Sequence, residues 1–308
     1  MILFRVFMLC AFASLYSLAC AQDETGPVPE LDDFLGRLDF WSPELSPSGR
    51  YLSGVRGEED DSFLVIVDLD DPDSSPSFRA MGDVYLNWVE WVTDERLLLS
   101  VTGYVNLRTG DWISRDGFED LGRRDIPVRF TRIIAVDREG GNSAVMFGDD
   151  RTMNRNFGLS SVVSFLPQDP DHILMSARRQ GDLDLYRLNV HDGSFERIAE
   201  GTDYTYAWFV DREGEPAFRF NTNRRGTVVY IFAREDRANG RIKWRKIKTI
   251  RLKRNKKSES ATEFDPLYPG PTETTYYVAA RPDGEDKTGI YLYDFEQDVF
   301  VDTIRTHD

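Results

Sequence analysis

Past its first forty residues the chain alternates apolar and polar positions with a period of two. "RYLSGV", "FLVIVDLD", "RLLLSV", "RIIAVD", "HILMSAR", "LDLYRLNV", "TVVYIFAR", "TYYVAAR" and "IYLYDF" are each six to eight residues long and rich in Val, Ile, Tyr and Phe. Gly, Pro, Asp and Asn separate them. Side chains two apart share one face of a strand, so this pattern predicts half-buried β-strands. Long helical periodicity is absent from the body, which predicts an all-β fold.

The strands recur in sets. The first carries "LSPSGRYLSGV" and "DSFLVIVDLD", and the next runs from "WVEWVTDERLLLSV" to "TRIIAVDREGG" around a longer excursion near Tyr104–Val128. The third holds "FLPQDPDHILMSAR" and "LDLYRLNVHDGSFERI", the fourth "WFVDREGEPAFRF" and "TVVYIFARE", and the fifth "FDP", "TETTYYVAAR" and "GIYLYDFEQDVF". A four-stranded antiparallel sheet cannot bury both faces alone, so sets of this size stack as blades around an axis. The expectation is a β-propeller of about five four-stranded antiparallel blades, as a partial or open ring over residues 40–308. A β-sandwich also offers many short strands, but five similar sets favour blades.

The N-terminus differs from this body. In "MILFRVFMLCAFASLYSLACAQ", Arg5 precedes an apolar run from Val6 to about Ala13, then small residues. That layout predicts a secretory signal-peptide helix over residues 1–21, with Ala19 and Ala21 placing cleavage before Gln22. An alternative makes Cys20 a lipid anchor, although Ser17 stands where such a box carries Leu. Both cysteines, Cys10 and Cys20, lie here, so the body has no disulfide or Cys-based metal site. Residues 22–39 form a polar, acidic lead-in. No later run approaches the roughly 18 apolar residues of a membrane span. These features predict an exported protein, periplasmic or secreted.

Charge adds one exclusion. With 38 Lys and Arg against 53 Asp and Glu, the net charge is −15, which disfavours nucleic acid as a partner. The basic exception, "RIKWRKIKTIRLKRNKK" at Arg241–Lys257, is read as an edge strand whose outward cations discourage edge pairing, against an alternative contact surface for an acidic partner or anionic lipid.

At "FWSPELSPSGRYLSGVR", with "LVIVDLD", "DLYRLNVHDGSFERI" and "GIYLYDFEQDVF" following in order, the chain from about Phe40 onward resembles the propeller half of prolyl oligopeptidase-type serine peptidases, the group holding dipeptidyl and acylaminoacyl peptidases. Their blades commonly open with Ser-Pro-Asp-Gly; here Ser48 takes the Asp position, and a small polar residue still permits the tight turn. The turn is also similar to that of Tol-system periplasmic propellers. The first resemblance implies a propeller that filters peptides above an α/β-hydrolase domain, with the chain ending before that domain. The second implies a stand-alone module for a protein partner.

The chemistry such a hydrolase needs is a Ser on a G-x-S-x-G elbow, followed by Asp and His. "GNSAV" at Gly141–Val145 and "GLSSV" at Gly158–Val162 lack the last Gly. His172 stands beside a Pro-Asp turn, His191 in a "VHDGS" turn and His307 next to the terminus, none with a recognisable Ser or Asp relay. The expectation is no catalytic, metal or cofactor site. Asp68–Asp73, "DLDDPD", lacks the Gly and distal Glu of a hand-type calcium loop and reads as a solvated turn. Gly57–Asp61, "GEEDD", reads as a hairpin tip, and Glu58-Glu59 lacks the surroundings of the dipeptidyl peptidase Glu pair. The aromatics of "WVEW" (Trp88–Trp91) and "YTYAWF" (Tyr204–Phe209) are assigned to packing between blades, with a pocket lining as the alternative.

Overall fold

Each predicted set folds as a sheet. The computed structural model describes residues 40–306, apart from 59–60, 72, 110, 115, 237–241, 252–263, 273 and 283–286. The signal segment 1–21, with Cys10 and Cys20, the lead-in 22–39, Glu59 and His307 lie outside the described residues. Blade I comprises Phe40–Leu45, Tyr51–Glu58, Asp61–Asp68 and Ser77–Ala80, hydrogen-bonded in chain order. Blade III (Val162–Ser164, His172–Arg179, Asp182–Asn189, Phe195–Ala199), blade IV (Thr205–Val210, Pro216–Thr222, Val228–Asp236, Ile242–Arg251) and blade V (Phe264–Pro269, Thr275–Ala280, Gly289–Asp294, Val299–Arg305) repeat that order. Among the described residues no helix is long and apolar enough to cross a membrane.

The Ser46-Pro47-Ser48-Gly49 turn joins the first two strands of blade I. Gly49 takes φ +77°, a backbone region that penalises a Cβ, and its N–H donates to the Ser46 carbonyl at 2.8 Å. Ser46 Oγ accepts from the Tyr51 N–H at 3.2 Å. Ser48 replaces the expected Asp without loss of the turn, because its Oγ accepts from the Arg50 N–H at 3.2 Å.

Blade II departs from the uniform antiparallel expectation. Tyr85–Thr93, Arg96–Asn106 and Pro127–Asp137 pair antiparallel, but the fourth strand, Gly158–Leu159, runs parallel to the third. Two-residue strands, Trp112–Ile113 and Ala144–Val145, widen this sheet to six. After Asp137 the chain passes through Ala144–Val145 and a single 3-10 turn, Met153–Arg155, before returning in the same direction as it left. The detour buries Met146, Phe147 and Met153 completely, so apolar packing favours the crossover over a tight hairpin.

Cores lie between consecutive blades. Tyr51, Val55 and Leu64 of blade I pack on Val89, Trp91 and Leu97 of blade II. Ile133 and Met146 meet Met175 and Tyr186 between blades II and III. Leu174 and Leu185 meet Trp208 between III and IV, and Phe218 and Ile231 meet Tyr276 and Tyr293 between IV and V. One device recurs: a Trp on a first strand donates back to the preceding blade, Trp91 Nε1 to the Glu44 carbonyl at 3.2 Å and Trp208 Nε1 to the Leu183 carbonyl at 2.9 Å. Among the described residues no buried core joins blade V to blade I. Their outer faces leave Phe40, Leu45 and Phe78, and Ile290, exposed.

Candidate functional site

Where blades IV and V part, a cavity of about 570 Å³ opens. Tyr206 and Phe209 come from the first strand of blade IV, Phe220 from its second and Ile250 from its fourth; Phe264 and Asp265 begin blade V. That volume lies within the range of small-molecule clefts, which are mainly apolar with a few polar groups. The aromatic wall forms because the "YTYAWF" strand breaks its alternation: the register against the second strand shifts between Thr205 and Ala207, which leaves Tyr206 as the extra residue of a bulge. Trp208 turns into the III/IV core while Phe209 packs with the IV/V core, and Tyr206 stays at the rim, 47% exposed, its ring 6.2 Å from Phe220.

Asp265 is the charged group of the cleft lining. Partial burial raises its pKa above the ordinary carboxylate range. Among the described residues it has no hydrogen-bond or ion-pair partner. Burial raises the Tyr206 phenol as well, and the Asp265 charge adds to that rise. Lys248, close by, lies instead over the Phe264, Tyr293 and Phe300 rings, 5.0 Å from the Phe264 centroid. The sequence reading treated "FDP" only as a blade opening and missed Asp265; the usable signal was a lone acid between two apolar residues of an inner strand.

The histidines need a correction. His172 and His191 each have an aspartate partner, contrary to the reading that neither had a relay. His172 Nδ1 lies 3.0 Å from Asp169, brought there by the turn that joins the first two strands of blade III. His191 Nε2 lies 2.8 Å from Asp171 across the strand ends. Asp169 also binds Arg187, and the pull of His172 and Arg187 outweighs burial to hold its pKa low. Ser194 lines the same 330 Å³ depression as His172 and Arg187, but its side chain and N–H both serve Asp192. The pairs fasten surface turns.

Other sequence candidates find structural employment. Asp68 binds Arg50 at 2.7 Å. Gly141–Val145 ends in a two-residue strand of blade II, and Gly158–Val162 runs from the parallel strand into blade III; neither forms a strand-to-helix elbow. Ile242–Arg251 is the outer strand of blade IV, as expected. Of its cations, Lys243 pairs with Glu235 at 2.9 Å, Arg245 donates to the Phe295 carbonyl at 3.2 Å and Lys246 lies over Tyr230. Arg241 and residues 252–257 of the basic run lie outside the described residues.

No family model and no curated protein matches the chain in sequence. Among solved structures, Pyrococcus horikoshii acylaminoacyl peptidase is 16% identical over 88% of this chain and 39% of its own, with a TM-score of 0.44. Prolyl oligopeptidase B from Galerina marginata is 11% identical over 87% and 38%, TM-score 0.47. The β-propeller domain of the Trilobed protease from Pyrococcus furiosus is 17% identical over 83% and 69%, TM-score 0.41. These neighbours are peptidases or a part of one. The chain spans about two-fifths of the length of the first two.

Proposed function

We propose that this chain is a non-catalytic propeller portion of an exported prolyl oligopeptidase-like peptidase, which docks a hydrolase domain and gates peptide access to it. The observation that carries the reading is the series of five blades, whose two end faces meet no further blade among the described residues, opened by a Ser-Pro-x-Gly turn that resembles those peptidases. Phe40, Leu45 and Phe78 at one end, and Ile290 at the other, are exposed apolar side chains that offer contact surface for further protein. Export rests on the pattern of residues 1–21; intact-mass measurement of the protein isolated from its source should then find Gln22 as the N-terminus.

The main experiment labels serine hydrolases with a fluorophosphonate probe. The purified 308-residue chain should take no label and turn over no peptide, while its complex isolated from the native source should contain a labelled hydrolase domain. Peptide turnover by the purified chain would refute the non-catalytic assignment. The end faces also favour a second reading, a stand-alone propeller that binds a protein partner. A native complex with a partner but no labelled hydrolase would select it.

A further inference from the structure

We propose that the cleft between blades IV and V binds an organic ammonium ion carried on an apolar body. The proposal stands on this chain's own residues and is independent of any hydrolase partner.

Three features of the cleft converge on that chemistry. Its walls, Tyr206, Phe209, Phe220, Ile250 and Phe264, are apolar or aromatic and match an aryl or alkyl body. Asp265 supplies a carboxylate without a partner among the described residues, in the lining of the same cavity. The Tyr206 ring stands tilted at 57° to Phe220 beside that rim, and aromatic faces attract cations through their quadrupole.

Charge decides among possible guests. A neutral apolar guest would strip more water from a carboxylate that already lacks a partner, which opposes binding. An anion would add repulsion. An ammonium group pairs with Asp265 by a charge-assisted hydrogen bond while its body covers the aromatic wall. Lys248 does not fill the role, since it rests over the Phe264–Tyr293–Phe300 cluster. Free amines and peptides with a free N-terminal apolar residue share this chemistry, and the test separates them.

Calorimetric titration of the purified chain uses 2-phenylethylammonium, its neutral isostere 2-phenylethanol, and Phe-Gly-Gly with a free or acetylated N-terminus. The ammonium should bind saturably and at least about tenfold more tightly than the alcohol, the scale of one hydrogen bond to a charged group. Asp265→Asn should erase that preference, by weakening the ammonium and not the alcohol, with the circular dichroism spectrum intact. Phe220→Ala should weaken both. Tighter binding of free than of acetylated peptide, at or above the affinity of the amine, marks a peptide N-terminus as the guest; a preference for the amine alone marks a small amine. Equal binding of ammonium and alcohol, no saturable binding of the ammonium, or a preference that survives Asp265→Asn overturns the proposal.

Discussion

Arg96 carries the most instructive prediction. Its side chain is 3% exposed, on the second strand of blade II. One guanidinium nitrogen donates to Asp137 Oδ1 at 2.6 Å and to the Asn142 carbonyl at 2.8 Å. Nε and the other terminal nitrogen both reach the Val190 carbonyl of the blade III hairpin, at 3.2 and 2.6 Å. The residue therefore ties the third-strand exit of blade II to the neighbouring blade. Arg96→Ala removes a buried cation and leaves Asp137 and two carbonyls short of donors. Breaking a fully buried pair from one side costs about 3–5 kcal/mol. Asp137 is 28% exposed and can rehydrate, so the loss here should be about 2–3 kcal/mol, still a large share of ordinary domain stability. Lysine is a point charge on a flexible stem and cannot span acceptors in three directions, so Arg96→Lys should fall between wild type and Arg96→Ala. The assay is urea unfolding followed by both tryptophan fluorescence and far-ultraviolet circular dichroism, because stacked repeats need not unfold in one step. A loss below about 1 kcal/mol in Arg96→Ala, with both probes coincident, would refute the clamp.

Four further outcomes can be checked. Trp91→Ala removes a 6%-exposed ring stacked 6.0 Å from Tyr51 and a bond to Glu44; it should cost about 3–5 kcal/mol in the same urea assay. Gly201→Ala would set a methyl against the backbone carbonyl oxygen of Leu183, whereas Gly54→Ala meets only the ring of Phe40, which is 40% exposed and can swing aside. The first should lower stability by about 1–3 kcal/mol and the second by less, as seen in paired thermal melts. Hydrogen bonds from Asn106, Arg108 and the Gly122 N–H hold Asp125 at about 2. A lowered carboxylate pKa stabilises the fold above its unfolded value, near 4, and that support fades as pH falls toward 2. The protection of the Leu107 amide relative to its intrinsic exchange rate, an amide bonded to the Ile126 carbonyl at 2.8 Å, should therefore fall over that window, and Asp125→Asn should flatten the change. Burial, reinforced by the Asp184 charge, pushes Tyr186 up to about 12; a raised phenol pKa supports the fold below pH 10, and that support declines from 10 to 12. Tyr186→Phe should lose this decline in alkaline unfolding curves.

Strand placement was legible because alternation is local: in "HILMSAR" and "LDLYRLNV" each side chain's face follows from its neighbours two residues away. Turns were legible for the same reason, since Gly49 and Ser46 act within five residues. Chain returns were less so. The parallel Gly158–Leu159 strand depends on where Met146, Phe147 and Met153 find apolar surface, and blade III supplies it. The histidine pairs carry no sequence signal, because Asp169 and Asp171 reach His172 and His191 through the geometry of turns and strand ends rather than through a fixed spacing. Tyr206 and Trp208 differ most clearly: two aromatics of one strand, two residues apart, share a face by simple alternation, yet Trp208 is buried and bonded to Leu183 while Tyr206 stays exposed, because the strand bulges between Thr205 and Ala207.

The sequence alone determined an all-β chain, five blade-sized sets and the turns that open them, because those properties depend on contacts within a few residues. Tertiary structure decided which faces meet, which aromatic walls part to leave a cavity, and that Asp265 stands in its lining. Those outcomes depend on the neighbouring blade, from which no period-two pattern carries a signal.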